Sequence, residues 1–480
     1  MESLKIKTAR NLGIVYGANL ATKIFGMIAT IILARLLLPQ DFGLVALSGI
    51  IIAIVLLFQD FGLGAALIQR QRDIEEATNV VFYSTIFIKS LLYLMVFAAA
   101  PLAAGFFNEP ILTEIIRIAG LSLIIEAFAA GHSSLLLKNM EFKKLMGINV
   151  ASSVFSSIVS IILAFLGFSF WSLVYGTLAA SPLRVILYWY ASSWRPKLLF
   201  DTKVAREMLE FGGWVMFINI LTFFMYNTDG FFIGRFLNAS SLGIYNMGMR
   251  WGLIGSDQIA RVMNNVLFPT FSSIQREKER IQNAYLKALK YTNLLTIPLA
   301  LGTIAIAPEF VTFILGEKWI EAILPLQIFA VYGLFFSIGT PAASVFLAVG
   351  EAKLAAKIMA GHLLFIIIFI YPFLLWGGII GAALCVTLST ILMYFLIRTI
   401  LVCSILDIKF FKSIKVLKAP TIASLIMFFS VMMAKTLMGS SLYTLFVFIF
   451  IGVVIYFPIL YIMDREIFAE FKEILSAFKK

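Results

Sequence analysis

The chain has 480 residues, 61% of them hydrophobic and 13% charged, whereas soluble domains average about 45–50% apolar and about 25% charged residues. With a mean hydropathy of +0.98 and no long polar block, this composition excludes a soluble enzyme on a single anchor and predicts an all-α polytopic membrane protein. The formal charge of +12 must be set against membrane topology before nucleic acid is considered as a partner.

Apolar runs of about 20 residues predict fourteen transmembrane helices, near 13–35, 43–67, 80–105, 113–137, 147–167, 169–191, 208–232, 241–268, 290–314, 322–348, 355–376, 378–401, 416–437 and 442–463. Short joins with stop signals separate them, such as Pro39-Gln40-Asp41, Asn108-Glu109-Pro110 and Gly377-Gly378. The N-terminal residues lack the small-residue cleavage site of a signal peptide, so the first span is expected to stay as a helix. An even count puts both termini on one side. That side carries 28 Lys and Arg, against four on the other, Arg35, Arg235, Lys318 and Lys435. The positive-inside rule then places both termini in the cytoplasm and the protein in the cell membrane. Most of the net charge is thereby explained without nucleic acid. After the last span, Ile467, Phe468, Phe471, Ile474, Leu475 and Phe478 recur at helical spacing beside Lys472, Lys479 and Lys480, which predicts an amphipathic helix on the inner surface. Asn238-Ala239-Ser240 matches a glycosylation acceptor but reads as a turn.

The residues of the common catalytic motifs are missing. There is no Gly-rich loop ending in Gly-Lys-Ser/Thr, no His-Glu-x-x-His and no Gly-x-Ser-x-Gly. Cys385, Cys403, His132 and His362 give neither a disulfide framework nor a metal site. The expectation is a protein that is not an enzyme and uses no cofactor.

Similar punctuation recurs at an offset of 200. Ala34-Arg35-Leu36-Leu37 through Gly43-Leu44 lies against Gly234-Arg235-Phe236-Leu237 through Gly243-Ile244, and the same register pairs Asn19 with Asn219 and Thr22 with Thr222. Six spans separate equivalent positions, so the copies share one orientation and are related by an axis along the membrane normal. This predicts a lobe over 1–200, a second over 201–406, and two further helices with the tail over 407–480. A transporter of this plan places its substrate between the repeats and rocks one against the other.

Six cations remain once those assigned to the two sides of the membrane are counted: Lys23, Lys89, Arg117, Arg184, Arg250 and Arg261. A charge at mid-membrane costs about 2.5–3.5 kcal/mol on insertion scales, so each should face protein, water or ligand. Arg117 and Arg184 lie near helix ends and read as snorkelling. Lys23, Lys89, Arg250 and Arg261 are the candidate substrate-binding cations. At 100° per residue, Asn246, Arg250, Asp257, Arg261 and Asn264 fall within about 40° of Arg250 on the eighth span. Tyr16, Asn19, Lys23 and Thr30 share a face of the first span, and Asn219, Thr222, Tyr226 and Asp229 share one of the seventh. These faces are expected to line a central basic cavity. Asp60, Glu126, Asp229 and Asp257, with Glu309 near an outer end, are candidates for charge pairing or for binding a coupling proton or sodium ion. Unpaired Lys and Arg suit an anionic ligand such as a phosphate or diphosphate.

The run from Ile32 through Arg35, Pro39-Gln40-Asp41-Phe42-Gly43 and Leu47 resembles the first loop of the polysaccharide transport branch of the multidrug/oligosaccharidyl-lipid/polysaccharide flippase superfamily. Asp60-Phe61-Gly62-Leu63-Gly64, Asp229-Gly230-Phe231-Phe232-Ile233-Gly234-Arg235, Leu267-Phe268-Pro269 and Gly316-Glu317-Lys318-Trp319 carry the same resemblance, from about residue 10 to 405. It implies a flippase that moves an undecaprenyl or dolichyl diphosphate-linked oligosaccharide repeat unit from the inner to the outer leaflet. A polysaccharide polymerase and glycosyltransferases are the implied neighbours, and a monomer the implied working form. By chemical analogy with related flippases, Lys23, Lys89, Arg250 and Arg261 would hold the lipid diphosphate. A cation-coupled multidrug exporter, a lipid II flippase and a non-transporting scaffold of a polysaccharide synthase remain alternatives.

Overall fold

The computed structural model describes residues 4–59, 61–197 and 201–465, with side chains given outside 4–16, 18–19, 203, 206, 209–219 and 221. The regular structure is helical, with no strand among the described residues. The helices are α1 (Leu4–Leu36), α2 (Pro39–Leu56), α3 (Leu63–Gln69), α4 (Ile74–Phe107), α5 (Leu112–Ala127), α6 (Ala130–Lys138), α7 (Phe142–Phe165), α8 (Trp171–Ala191), α9 (Thr202–Phe236) and α10 (Ala239–Gly252). They continue with α11 (Ile254–Ser273), α12 (Lys278–Glu309), α13 (Ile323–Ala348), α14 (Ala352–Thr390), α15 (Arg398–Ile405), α16 (Phe410–Lys415), α17 (Lys418–Met438) and α18 (Leu442–Met463). Tail positions 467–480 and Asp60 lie outside the described residues.

The helix starts follow from local chemistry. Pro39 opens α2, and the Asp41 carboxylate accepts from the Leu38 amide at 2.7 Å, satisfying one donor that a helix start leaves orphaned. Asn238 accepts from the Ser241 amide at 2.8 Å, so Asn238 caps α10 and Ala239 and Ser240 begin that helix instead of forming the expected turn. Ser441 and Thr444 form a reciprocal cap on α18.

Among the described residues, eight continuous helical stretches are long and apolar enough to cross a membrane. Several expected spans are instead broken, with α2 stopping before α3, α5 before α6, and α10 before α11. Residues 355–401 form two helices that meet at the non-helical dihedrals of Gly377 and Gly378, where the stop signal predicts a break, and the second passes through a π-helical turn over Ile391–Ile397. Large apolar side chains face outward, with Leu102 76%, Trp376 75% and Phe165 69% exposed. Such a surface is stable against hydrocarbon and not against water. The protein is a multi-pass membrane protein.

Met1–Gly243 and Ile244–Lys480 form two compact units. In the first, α1 packs on α7, α7 on α8, α4 on α5, and α9 on α2, α3 and α4. Leu63, Leu67, Val80, Val81, Val204 and Met208 form the core where α3, α4 and α9 meet. In the second, α13 packs against α11, α12 and α14, around Phe271, Tyr285, Phe346 and Tyr394. The post-repeat helices α17 and α18 pack on α12. The Lys435 ammonium on α17 lies 2.8 Å from Glu309 Oε2 at the end of α12 while donating to the Ala305 carbonyl, and Ser440 donates to Glu309 Oε1. Arg398, at the end of the expected span 378–401 and among the 28 cations assigned to the side of the termini, is buried: its guanidinium lies 4.1 Å over the Tyr394 ring, and Tyr394 stacks on His362.

The starts of α2 and α10 cross each other within the first unit. A Cβ on Gly43 would overlap the Ala239 carbonyl, and a Cβ on Gly243 would overlap the Pro39 carbonyl. Glycine at both positions lets the backbones touch. The four residues pair at the offset of 200 seen in the sequence, Pro39 with Ala239 and Gly43 with Gly243.

Candidate functional site

The first unit holds a polar cavity of about 300 Å³ at the middle of α4. On α4, Val81, Thr85 and Lys89 follow at intervals of four and so present one face. Glu126 comes from the end of α5, Ser133 and Ser134 from α6, Asn149 from α7, and Arg184 and Tyr188 from α8. The break between α5 and α6 matters here, because Ala129 and Ala130 at that break line the cavity with small side chains. Lys89 is 7% exposed.

The Arg184 Nη1 lies 2.6 Å from Glu126 Oε1, and Ser181 Oγ donates to the same oxygen at 3.2 Å. Arg184 is therefore drawn inward to α5 rather than snorkelling outward, because a carboxylate at membrane depth binds it more strongly than a distant interface. Lys89, Arg184 and Glu126 are thus the charged groups that line this cavity. Arg184 Nε and Thr85 Oγ1 are buried with no hydrogen-bond partner among the described residues. Unmet donors in a polar cavity are the places where a ligand or water completes the network.

Of the sequence candidates, Lys89 and Glu126 meet in this cavity. Lys23 on α1 is half-buried. Arg250 is exposed at the end of α10 and makes no ion pair or hydrogen bond among the described residues, while Asn246 on the same helix is half-buried. Arg261 lies on α11, where its Nε meets Asp257 Oδ1 at 2.9 Å, and Asn264 accepts from Ser344 at 3.3 Å. The single rod expected over 241–268 is broken at Leu253, so one angular register does not run from Asn246 to Asn264. Thr222 is half-buried, Tyr226 is 64% exposed, and Asp229 is buried with its carboxylate accepting from the Gly230 amide at 2.9 Å. The side chains of Tyr16, Asn19 and Asn219 lie outside the described residues.

The sequence reading missed Ser133, Ser134, Asn149 and Arg184. Their signal in the sequence is the interruption of an apolar run by Ser133-Ser134 and the charge of Arg184 inside another.

Comparison with known proteins agrees with this architecture. A family model described as "Polysaccharide biosynthesis protein" matches residues 32–324. The teichuronic acid biosynthesis protein TuaB of Bacillus subtilis (strain 168) is 29% identical over 303 residues, covering 63% of this chain and 63% of the relative, a little under two thirds of its length. The lipopolysaccharide biosynthesis protein WzxC of Escherichia coli (strain K12) is 25% identical over 382 residues, 78% of this chain and 76% of the relative. Among solved structures, the lipid II flippase MurJ in an inward closed conformation has a TM-score of 0.79 at 18% identity, covering 95% of this chain and 99% of that one. An inward-facing multidrug resistance MATE transporter has a TM-score of 0.61 at 17% identity, covering 80% and 95%. At such identities the likeness shows the fold. The chain thus belongs to the polysaccharide biosynthesis protein family, and it shares the fold of the flippase and transporter structures above.

Proposed function

We propose that the protein flips a polyprenyl diphosphate-linked oligosaccharide repeat unit from the cytoplasmic to the outer leaflet of the cell membrane, for surface polysaccharide assembly. The supporting observation is the polar cavity that gathers Lys89, Glu126 and Arg184 at the middle of α4. An oligosaccharide carries many hydroxyls and a diphosphate carries negative charge, and neither crosses hydrocarbon without replacement partners. Ser133, Ser134, Asn149 and Thr85 offer hydrogen bonds for sugar hydroxyls, while Lys89 and Arg184 offer cations for negative groups. The lipid tail stays in the bilayer.

In this reading two lobes, 1–200 and 201–406, alternate access, with Lys23, Arg250 and Arg261 contacting the diphosphate during the crossing. Both termini face the cytoplasm, the monomer is the working unit, and a proton or sodium gradient or the membrane potential supplies the drive. A polymerase and glycosyltransferases are the implied partners.

The test is leaflet translocation of a fluorescent lipid-diphosphate oligosaccharide in proteoliposomes, comparing wild type with Lys89→Gln, Lys23→Ala and Arg250→Ala at matched incorporation. Loss of a charge-assisted contact of about 1.5–3 kcal/mol predicts rates lower by roughly one to two orders of magnitude. Wild-type rates in Lys89→Gln would overturn the cavity assignment. No wild-type transport of any of several lipid-linked glycans under imposed ion gradients would overturn the flippase reading.

A further inference from the structure

A second cavity lies in the second unit, far in sequence from Lys89, and the transport reading makes no use of it. It measures about 330 Å³ and is lined by Lys290 on α12, Lys415 at the end of α16 and Val416 after it, Lys418 and Ala419 at the start of α17, and Met463 and Asp464 at the end of α18. Lys290 Nζ lies 2.6 Å from the Asp464 carboxylate, so that pair is neutral. Lys415 and Lys418 are exposed, and neither meets a carboxylate among the described residues. Among the described residues the cavity therefore carries two positive charges at its mouth without a carboxylate partner. The first turn of the 21-residue helix α17 opens at the same place, and its free amides add to the positive field.

The same three long helices form an apolar groove of about 610 Å³ further along their length, lined by Leu295, Leu299, Met427, Val431, Phe448 and Phe457 among others. Leu295 is five residues beyond Lys290, a rise of about 8 Å along α12, and Met427 is nine residues beyond Lys418, about 14 Å along α17. A basic cavity thus opens toward one end of an apolar groove, with the spacing between an amphiphile's charged head and its hydrocarbon. Phe411 on α16 is 82% exposed beside the exposed Lys412, an aromatic and a cation at the level where side chains meet the membrane interface.

We propose that this cavity binds the head-group phosphate of an anionic phospholipid, with Lys415 and Lys418 as its cations and the groove between α12, α17 and α18 taking the acyl chains. Basic pockets between helices at a membrane face have the chemistry for such head groups. Lysine ammonium groups, as point charges without a guanidinium fork, suit a single phosphodiester.

The test uses the full-length protein, delipidated in a non-ionic detergent and titrated with phosphatidylglycerol, with binding read by native mass spectrometry and thermal protection. Wild type should bind phosphatidylglycerol more tightly than phosphatidylcholine. Each lysine removed should weaken binding on the order of fivefold, so Lys415→Gln/Lys418→Gln should weaken it roughly 25-fold. Asp464→Asn, which frees Lys290, should tighten it. Both sites of substitution in the double variant are exposed, so folding is retained and its thermal midpoint without lipid serves as the control. Equal affinity of wild type and double variant, or equal affinity for phosphatidylcholine, would overturn the proposal. Protection by inorganic phosphate alone as strong as that by the lipid would reassign the site to a free anion. Binding of undecaprenyl diphosphate but not phosphatidylglycerol would reassign it to substrate docking.

Discussion

Replacing Glu126 by Gln removes the carboxylate that meets the Arg184 guanidinium at 2.6 Å, while leaving an oxygen for Ser181. Unit charges about 4 Å apart attract by about 4 kcal/mol at an effective dielectric of 20 and about 1 kcal/mol in bulk water. The two side chains are 32% and 35% exposed, between those regimes, and ordering them costs part of the gain. The working figure is a coupling of about 2 kcal/mol. A double-mutant cycle with Glu126→Gln, Arg184→Met and the double variant measures it directly, by reversible unfolding in mixed detergent micelles. Each single variant should be destabilised, because each strands a partner, and the double variant should lose less than the two losses added together. Additivity within about 0.5 kcal/mol would refute the pairing and return Arg184 to the interface.

At the crossing of α2 and α10, Gly43→Ala should lower stability by about 1–3 kcal/mol, since its Cβ would meet the Ala239 carbonyl. Gly49→Ala on the same helix, with nothing within 4 Å of its Cβ, should be neutral or raise stability by up to about 1 kcal/mol. Thermal midpoints in detergent compare the two, and equal midpoints would refute the close crossing. Lys435→Met leaves the 2%-exposed Glu309 carboxylate without its cation, and should cost about 3–5 kcal/mol. Adding Glu309→Leu should recover much of that, and a double variant no better than Lys435→Met would refute the account. His132 is fully buried among Phe82, Trp189 and Trp194, with neither ring nitrogen hydrogen-bonded among the described residues. His132→Phe should therefore stabilise by about 1 kcal/mol, and a lower melting midpoint would show that the ring has a polar task.

The sequence was most legible where one physical force dominates. Hydropathy runs located the helical chain because lipid contact demands apolar side chains along entire helices. Lys89 and Glu126 stood out because charge in such a run is costly, and the cavity contains both. Helix breaks were less legible. The interruption at Leu253 changes backbone dihedrals at one residue and leaves hydropathy almost unaltered, so Asn246 through Asn264 read as one stripe. The Arg184–Glu126 pair joins residues 58 positions apart, and only the packing of α5 on α8 brings them together. Ser133 and Ser134 are ambiguous for another reason, since serines inside a membrane helix also occur simply as small packing residues. Arg398 shows the limit of counting charges by loop, because a cation near a helix end was placed at the surface yet folds into the second unit's core.

The crossing at Gly43 and Gly243 has a meaning for assembly. Residue 39 meets residue 243, and residue 43 meets residue 239, so each repeat offers the other the same patch that it receives. That reciprocity is the signature of an isologous two-fold interface, the kind by which identical subunits form closed dimers. A half-length chain ending between the repeats would present this patch unmatched, with exposed backbone where its twin belongs. Joining the copies in one polypeptide makes the encounter intramolecular and independent of concentration. The glycines then act as a shared seam, and either copy can diverge elsewhere as long as its side of the seam stays bare.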